Sequence, residues 1–158
     1  MRRQILELSL VLGVVLVGCK KDEPAAVPPP ADTVSAAANP FSLSIAAKGA
    51  VAAGQGGSAL INVAAKDGFH VNPDYPVAFK VTPSSTVKFS GDRVPLTASK
   101  KTPCAEKAED SCAAEFELPF TAQEAGAAKL DGIIAFSVCS AEKCLIQKEP
   151  LTLALTVN

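Results

Sequence analysis

The chain has 158 residues, a formal net charge of −1 and 20% charged residues. Acidic and basic side chains are interspersed, so no basic stripe of the kind that holds nucleic acid is present. Hydrophobic residues make up 48%, but there is no Trp and only one Tyr, which leaves a core of Phe, Leu, Ile and Val and excludes a large aromatic binding surface.

Arg2 and Arg3 open the chain, and an apolar run from Ile5 to Val17 follows, broken only by Glu7 and Ser9. The run is too short to span a bilayer and sits where a signal peptide places its apolar region. It ends in Leu16-Val17-Gly18-Cys19, a tetrapeptide that resembles the lipobox of bacterial lipoproteins. The resemblance implies a leader over residues 1–18, a cut before Cys19 and lipid on the Cys19 thiol. The small residues before the cut let a peptidase approach the backbone. The expected location is the cell envelope, facing the periplasm, and the expected membrane contact is through that lipid. Lys20 stands where an Asp retains many such proteins at the inner membrane, which favours the outer membrane.

Residues 19–39 read as the lipid site and a flexible linker. Pro and Ala dominate it, with Pro28-Pro29-Pro30 at its centre. Such a composition buries too little apolar surface to fold, and proline keeps it extended.

From Pro40 the pattern changes to short strands. Phe41, Leu43 and Ile45 alternate with small or polar residues, and Gly56-Gly57 leads into Ala59–Val63. Ala78–Thr82 and Thr86–Ser90 are short runs between Pro and Ser. Phe116, Leu118 and Phe120 alternate with Glu115, Glu117 and Pro119, the proline marking an edge or a bulge. Thr121–Ala128 reads as a loop because Gly126 interrupts it. Leu130–Val138 is almost continuously apolar, as a strand buried on both faces would be. Leu151, Leu153, Leu155 and Val157 alternate with Thr and Ala. About seven strands with almost no helical periodicity predict an all-β sandwich over residues 40–158.

Beyond Cys19 there are four cysteines: Cys104, Cys112, Cys139 and Cys144. An exported chain meets oxidising conditions, so two disulfides are expected. Three pairings exist on paper, and proximity favours Cys104–Cys112 and Cys139–Cys144. The first pair lies in a polar segment and reads as a structural staple. The second follows the most apolar strand directly. Its loop is short, and Lys143 beside Cys144 favours a thiolate.

Two stretches carry a further resemblance. Gly68-Phe69-His70-Val71-Asn72-Pro73, followed by Phe79-Lys80-Val81-Thr82-Pro83, is similar to the early part of the N-terminal domain of the thiol:disulfide interchange protein DsbD family. Phe136-Ser137-Val138-Cys139-Ser140-Ala141-Glu142-Lys143-Cys144-Leu145 resembles the redox motif of that domain. The likeness covers about residues 41–158. It implies an immunoglobulin-like sandwich and a redox pair, Cys139 and Cys144, that exchanges electrons with exported partners such as a thioredoxin-like protein. It includes His70 without giving it a catalytic role, and Phe69, His70 and Lys143 are the expected neighbours of the site. The family's membrane and thioredoxin-like domains have no counterpart here, so the electron source is expected to be another protein or to be absent. Its prolines soon after the second Cys are replaced by Leu145–Glu149 before Pro150. The stretch matching its cap loop is Lys100–Cys112, which carries its own cysteine pair.

His70 is the only histidine, and the cysteine spacings match no compact metal knuckle, so neither a metal nor any other cofactor is expected. The bland role for His70 is a half-buried residue at a strand end. No Gly-x-Ser-x-Gly, phosphate loop or dinucleotide fingerprint occurs. The sequence therefore carries two functions: a tethered thiol–disulfide oxidoreductase domain acting through Cys139 and Cys144, or a binding or scaffold module in which both disulfides are structural.

Overall fold

A computed structural model describes residues 39–158 apart from Asp67 and Pro73. The expected leader, Cys19 and the linker up to residue 38 lie outside the described residues.

Among the described residues there are ten strands and no helix. They are β1 (Phe41–Ala47), β2 (Gly56–Ala65), β3 (His70–Val71), β4 (Ala78–Val81), β5 (Val87–Lys88), β6 (Arg93–Pro95), β7 (Ala98–Pro103), β8 (Ser111–Ala122), β9 (Gly126–Cys139) and β10 (Cys144–Val157). All the strands pair antiparallel, and a parallel bridge joins Val51 to Val157. The fold is the expected all-β, immunoglobulin-like sandwich. One layer holds β1, β2 and β8, with β7 and β5 on the outer flank of β8. The other holds β10, β9, β4 and β6. The two-residue β3 pairs with β8 through Val71 and with β9 through His70 and Val71, so it stitches the layers together at one end.

Period-two alternation builds the core. On β8, Ala114, Phe116, Leu118, Phe120 and Ala122 point inward, and on β2 Ala59, Ile61 and Val63 do. Leu130, Ile134, Phe136 and Val138 of β9 meet them from the second layer. Phe41 of β1 packs edge-on against Phe136, with ring centroids 4.9 Å apart. Phe89 lies 6.1 Å from Phe79 and 6.5 Å from Phe120, a second aromatic tie across the layers.

Several expectations need adjusting. The strand count is ten because β3 and β6 are too short to leave a periodic signal and β7 is polar; the expected Thr86–Ser90 strand is present but shortened to β5. The Lys100–Cys112 segment is not all loop: its first residues complete β7, and Cys112 lies in β8. Leu130–Val138 is buried on both faces only from Ile134 onward, since Ile133 is 42% exposed. The Thr121–Ala128 loop shrinks to a tight hairpin connection between β8 and β9, with Gly126 at φ 115°, a conformation that suits glycine. Pro119 pairs only with Ser58 of β2. Opposite it β7 has already ended and β5 has not begun, so a proline without an N–H sits on a local edge.

Gly132 lets β4 lie close against β9. A Cβ there would run into the Lys80 carbonyl oxygen and the Phe79 ring. Gly132→Ala is expected to cost about 1–3 kcal/mol through overpacking, read as a lower urea midpoint with an unchanged slope. An unaltered midpoint would show that β4 can give way.

Candidate functional site

Two hairpin tips and the start of β3 converge at one end of the sandwich. The first tip joins β9 to β10. Cys139 and Cys144 are directly opposed in that ladder and form a disulfide with Cα atoms 3.9 Å apart. Four residues, Ser140–Lys143, make the turn. The Ser140 N–H donates to the Lys143 carbonyl (2.8 Å). The Ser140 hydroxyl accepts from the N–H groups of Glu142 (3.2 Å) and Lys143 (3.3 Å). Ser after a strand closes turns in this way. The turn is thus held by its own hydrogen bonds as well as by the disulfide. Lys143, an expected site neighbour, contributes through its backbone.

The two sulfur-bearing residues differ sharply in exposure. Cys139 is 5% exposed at the end of the buried half of β9, whereas Cys144 is exposed. A reagent from solution therefore meets Cys144 first. Exchange follows access as well as thiolate character.

The second tip joins β7 to β8. Cys104 and Cys112 are disulfide-bonded with Cα atoms 4.7 Å apart. The Cys104 N–H donates to the Asp110 carbonyl (2.9 Å), and the Asp110 N–H donates to the Lys107 carbonyl (3.0 Å). Both pairings expected from proximity are present. Lys107 Nζ lies 3.0 Å from Asp110 Oδ2 and 3.9 Å from Glu109 Oε1. The hydrogen bond to Asp110 and its negative charge raise the Lys107 pKa, with Glu109 adding a smaller push and desolvation opposing.

His70 stands between the tips. It pairs with Cys139 across the β3–β9 ladder, and its Nδ1 lies 3.5 Å from Asp110 Oδ2, both side chains being about one-fifth exposed (23% and 21%). It is a half-buried strand residue, as expected, and its side chain also meets the stapled tip. A groove of about 530 Å³ runs past this cluster, lined among others by Phe69, His70, Cys104, Cys112, Asp110 and Ala141. Phe69 packs partly against the core.

The structure thus brings Phe69, His70 and Cys104–Cys112 to the groove that Ala141 of the Cys139–Cys144 turn also lines. Cys19 lies outside the described residues. Asp110 and Ser140 did not stand out in the sequence. Ser140 carries a turn signal in its position after a strand. Asp110 carries none: it is one of four charged residues between Cys104 and Cys112, and only the fold selects it. Among the described residues no cluster of three or more His, Cys, Asp or Glu is arranged to hold a metal ion. Set against family models and curated proteins, the chain matches none.

Proposed function

We propose that this domain carries out thiol–disulfide exchange through Cys139–Cys144, tethered to the envelope by lipid on Cys19. The observation that carries the reading is the pairing of an exposed Cys144 with a buried Cys139 on a turn that Ser140 closes independently. A bond placed only to close that turn would duplicate the hydrogen bonds. A bond placed to be broken and remade needs one reachable sulfur, one shielded sulfur, and a backbone that keeps its shape when the bond is open. The exposure of Cys144, the burial of Cys139 and the hydrogen bonds of Ser140 across the turn support such a role.

In the exchange, a partner thiolate attacks Cys144 Sγ. The Cys139–Cys144 bond breaks, a partner–Cys144 disulfide forms, and Cys139 leaves as a thiolate. A second thiolate of the partner attacks the partner's sulfur in that mixed disulfide and releases Cys144. Two electrons have then passed to this domain and the partner is oxidised. The reverse sequence passes them on to a partner disulfide. The partner class is an exported dithiol protein, thioredoxin-like or otherwise. The likeness of the Cys139–Cys144 segment to the DsbD redox motif supports the same reading.

A glutathione titration, read by mass spectrometry of alkylated peptides, tests this. Cys139–Cys144 is expected to titrate between about −270 and −120 mV, the range of known exchange proteins, while Cys104–Cys112 stays oxidised. If both pairs resist reduction below about −300 mV, the exchange reading fails and the domain is a disulfide-stapled binding module.

A further inference from the structure

The ladder around β3 sets cysteines on both sides of the only histidine. His70 is paired with Cys139 on β9, and Cys139 is in turn paired with Cys144 on β10. On the other side Val71 is paired with Ser111 of β8, and one step along that antiparallel register Cys112 comes level with His70. Directly opposed residues on one face of a ladder hold their Cβ atoms about 4.5–5.5 Å apart. His70 thus neighbours Cys139, the sulfur that must leave when Cys144 is attacked. Its Nδ1 faces Asp110, whose backbone is fixed inside the loop that Cys104–Cys112 closes. The charged side chains lining this groove are Lys66, Glu106, Lys107 and Asp110.

We propose that His70, oriented by Asp110, stabilises the Cys139 thiolate and exchanges a proton with it, and that the Cys104–Cys112 staple serves the reaction by holding Asp110 in place. The inference rests on the exchange reading of Cys139–Cys144. With Nδ1 turned to the Asp110 carboxylate, the other ring nitrogen is left to take up the proton. When Cys139 stands as a thiol, its proton passes from Sγ to that nitrogen, giving a thiolate beside an imidazolium whose charge Asp110 offsets. When Cys139 is re-oxidised, the thiolate supplies the electron pair for the new sulfur–sulfur bond and the imidazolium returns its proton to the departing partner thiolate or to water. No further oxidant or reductant enters. A thiolate paired with a histidine is an established way of activating a cysteine.

This gives the second disulfide a part in the first one's chemistry without being consumed. A structural staple far from the reacting sulfurs would leave their equilibrium untouched. A staple that holds Asp110 against His70 would not.

The test compares the full-length protein with His70→Asn, His70→Arg and Asp110→Asn. Each is equilibrated with glutathione and read at the Cys139 and Cys144 peptides, with thermal midpoints recorded alongside. Removing thiolate stabilisation disfavours the reduced form. His70→Asn is therefore expected to shift the equilibrium about tenfold towards the disulfide, equivalent to a potential about 30 mV more negative. His70→Arg, which keeps a cation beside the sulfur, is expected to recover most of that shift. A histidine that only fills space would give no such recovery. Asp110→Asn is expected to shift the equilibrium in the same direction, by about threefold, with little change in thermal midpoint, since it is a partly exposed loop residue. That variant also keeps the test decisive if changes at His70 unfold β3. If the native pair exchanges normally but Asp110→Asn and His70→Asn both leave the equilibrium within about twofold of native, the His70 proposal is overturned and the exchange reading stands. If the native pair itself resists reduction, both fall together.

Discussion

Phe136→Ala is expected to remove about 3–5 kcal/mol of folding stability and to lower the Tm by roughly 10–20 °C. Phe136 is fully buried in β9 and meets Phe41 edge-on at 4.9 Å across the two layers. Truncation gives up the transfer of a large ring from water, loses the aromatic pair, and leaves a cavity between two layers of close-packed side chains. Little nearby can collapse into the gap, because Ile61, Leu118, Leu130 and Ile134 are already fully packed. The control is Ile146→Ala. That side chain is 61% exposed on β10, and its loss should stay within about 0.5 kcal/mol. Chemical denaturation of both variants measures the contrast. A Phe136→Ala cost below about 1 kcal/mol would mean that the layers do not meet where this packing has them meet.

The second large effect concerns chemistry. Changing either Cys139 or Cys144 to serine should abolish two-electron exchange at this end of the domain, yet the two variants should behave differently towards a small disulfide such as oxidised glutathione. Cys139→Ser leaves Cys144, exposed at the start of β10, and should accumulate a stable mixed disulfide because the resolving sulfur is gone. Cys144→Ser leaves Cys139, only 5% exposed, and should react at least about tenfold more slowly, since exchange depends on access. Intact-mass spectrometry follows both reactions, and equal rates would remove the exposure argument for Cys144 as the attacked sulfur. Replacing both residues should cost no more than about 2 kcal/mol by loop-closure entropy, because the turn is so short and Ser140 closes it as well.

The sequence was most legible where one face of a strand is buried and the other is wet. Phe41, Leu43 and Ile45, the Phe116–Phe120 run and the Leu151–Val157 run all alternate, and all are strands. The first half of β10 was missed because its exposed face carries Cys144, Ile146, Lys148 and Pro150 while Leu145, Gln147 and Glu149 are half-buried, so neither face reads as apolar. β7 was missed for a related reason. Its side chains are mostly exposed, and backbone pairing to β8 rather than burial makes it a strand. β3 has two residues, too few for any period. At the site, the cysteine pairs were legible because each is close in sequence. The approach of Asp110 to His70 was not, because it joins residues forty apart through a loop whose charges look alike until the fold picks one.

The place where the chain enters the domain has a consequence for reach. The Pro40 carbonyl accepts from the Lys66 N–H (2.8 Å), and Ala65 and Lys66 line the same groove as His70 and Cys104–Cys112. Whatever precedes Pro40 is therefore attached at the end of the sandwich that carries the two disulfides, and Asn158, bonded to Val51 and Ala53, lies at the other end of the β10 strand. On the proposed lipid anchor at Cys19, the residues between it and Pro40 could extend to about 70 Å at most. With that anchor in place, a tether of that length would confine the groove to a thin shell above the membrane and would raise the local concentration of any partner held at the same surface. Encounters would then be governed by two-dimensional crowding more than by dilution in the surrounding fluid, and lengthening the tether would trade encounter frequency for range.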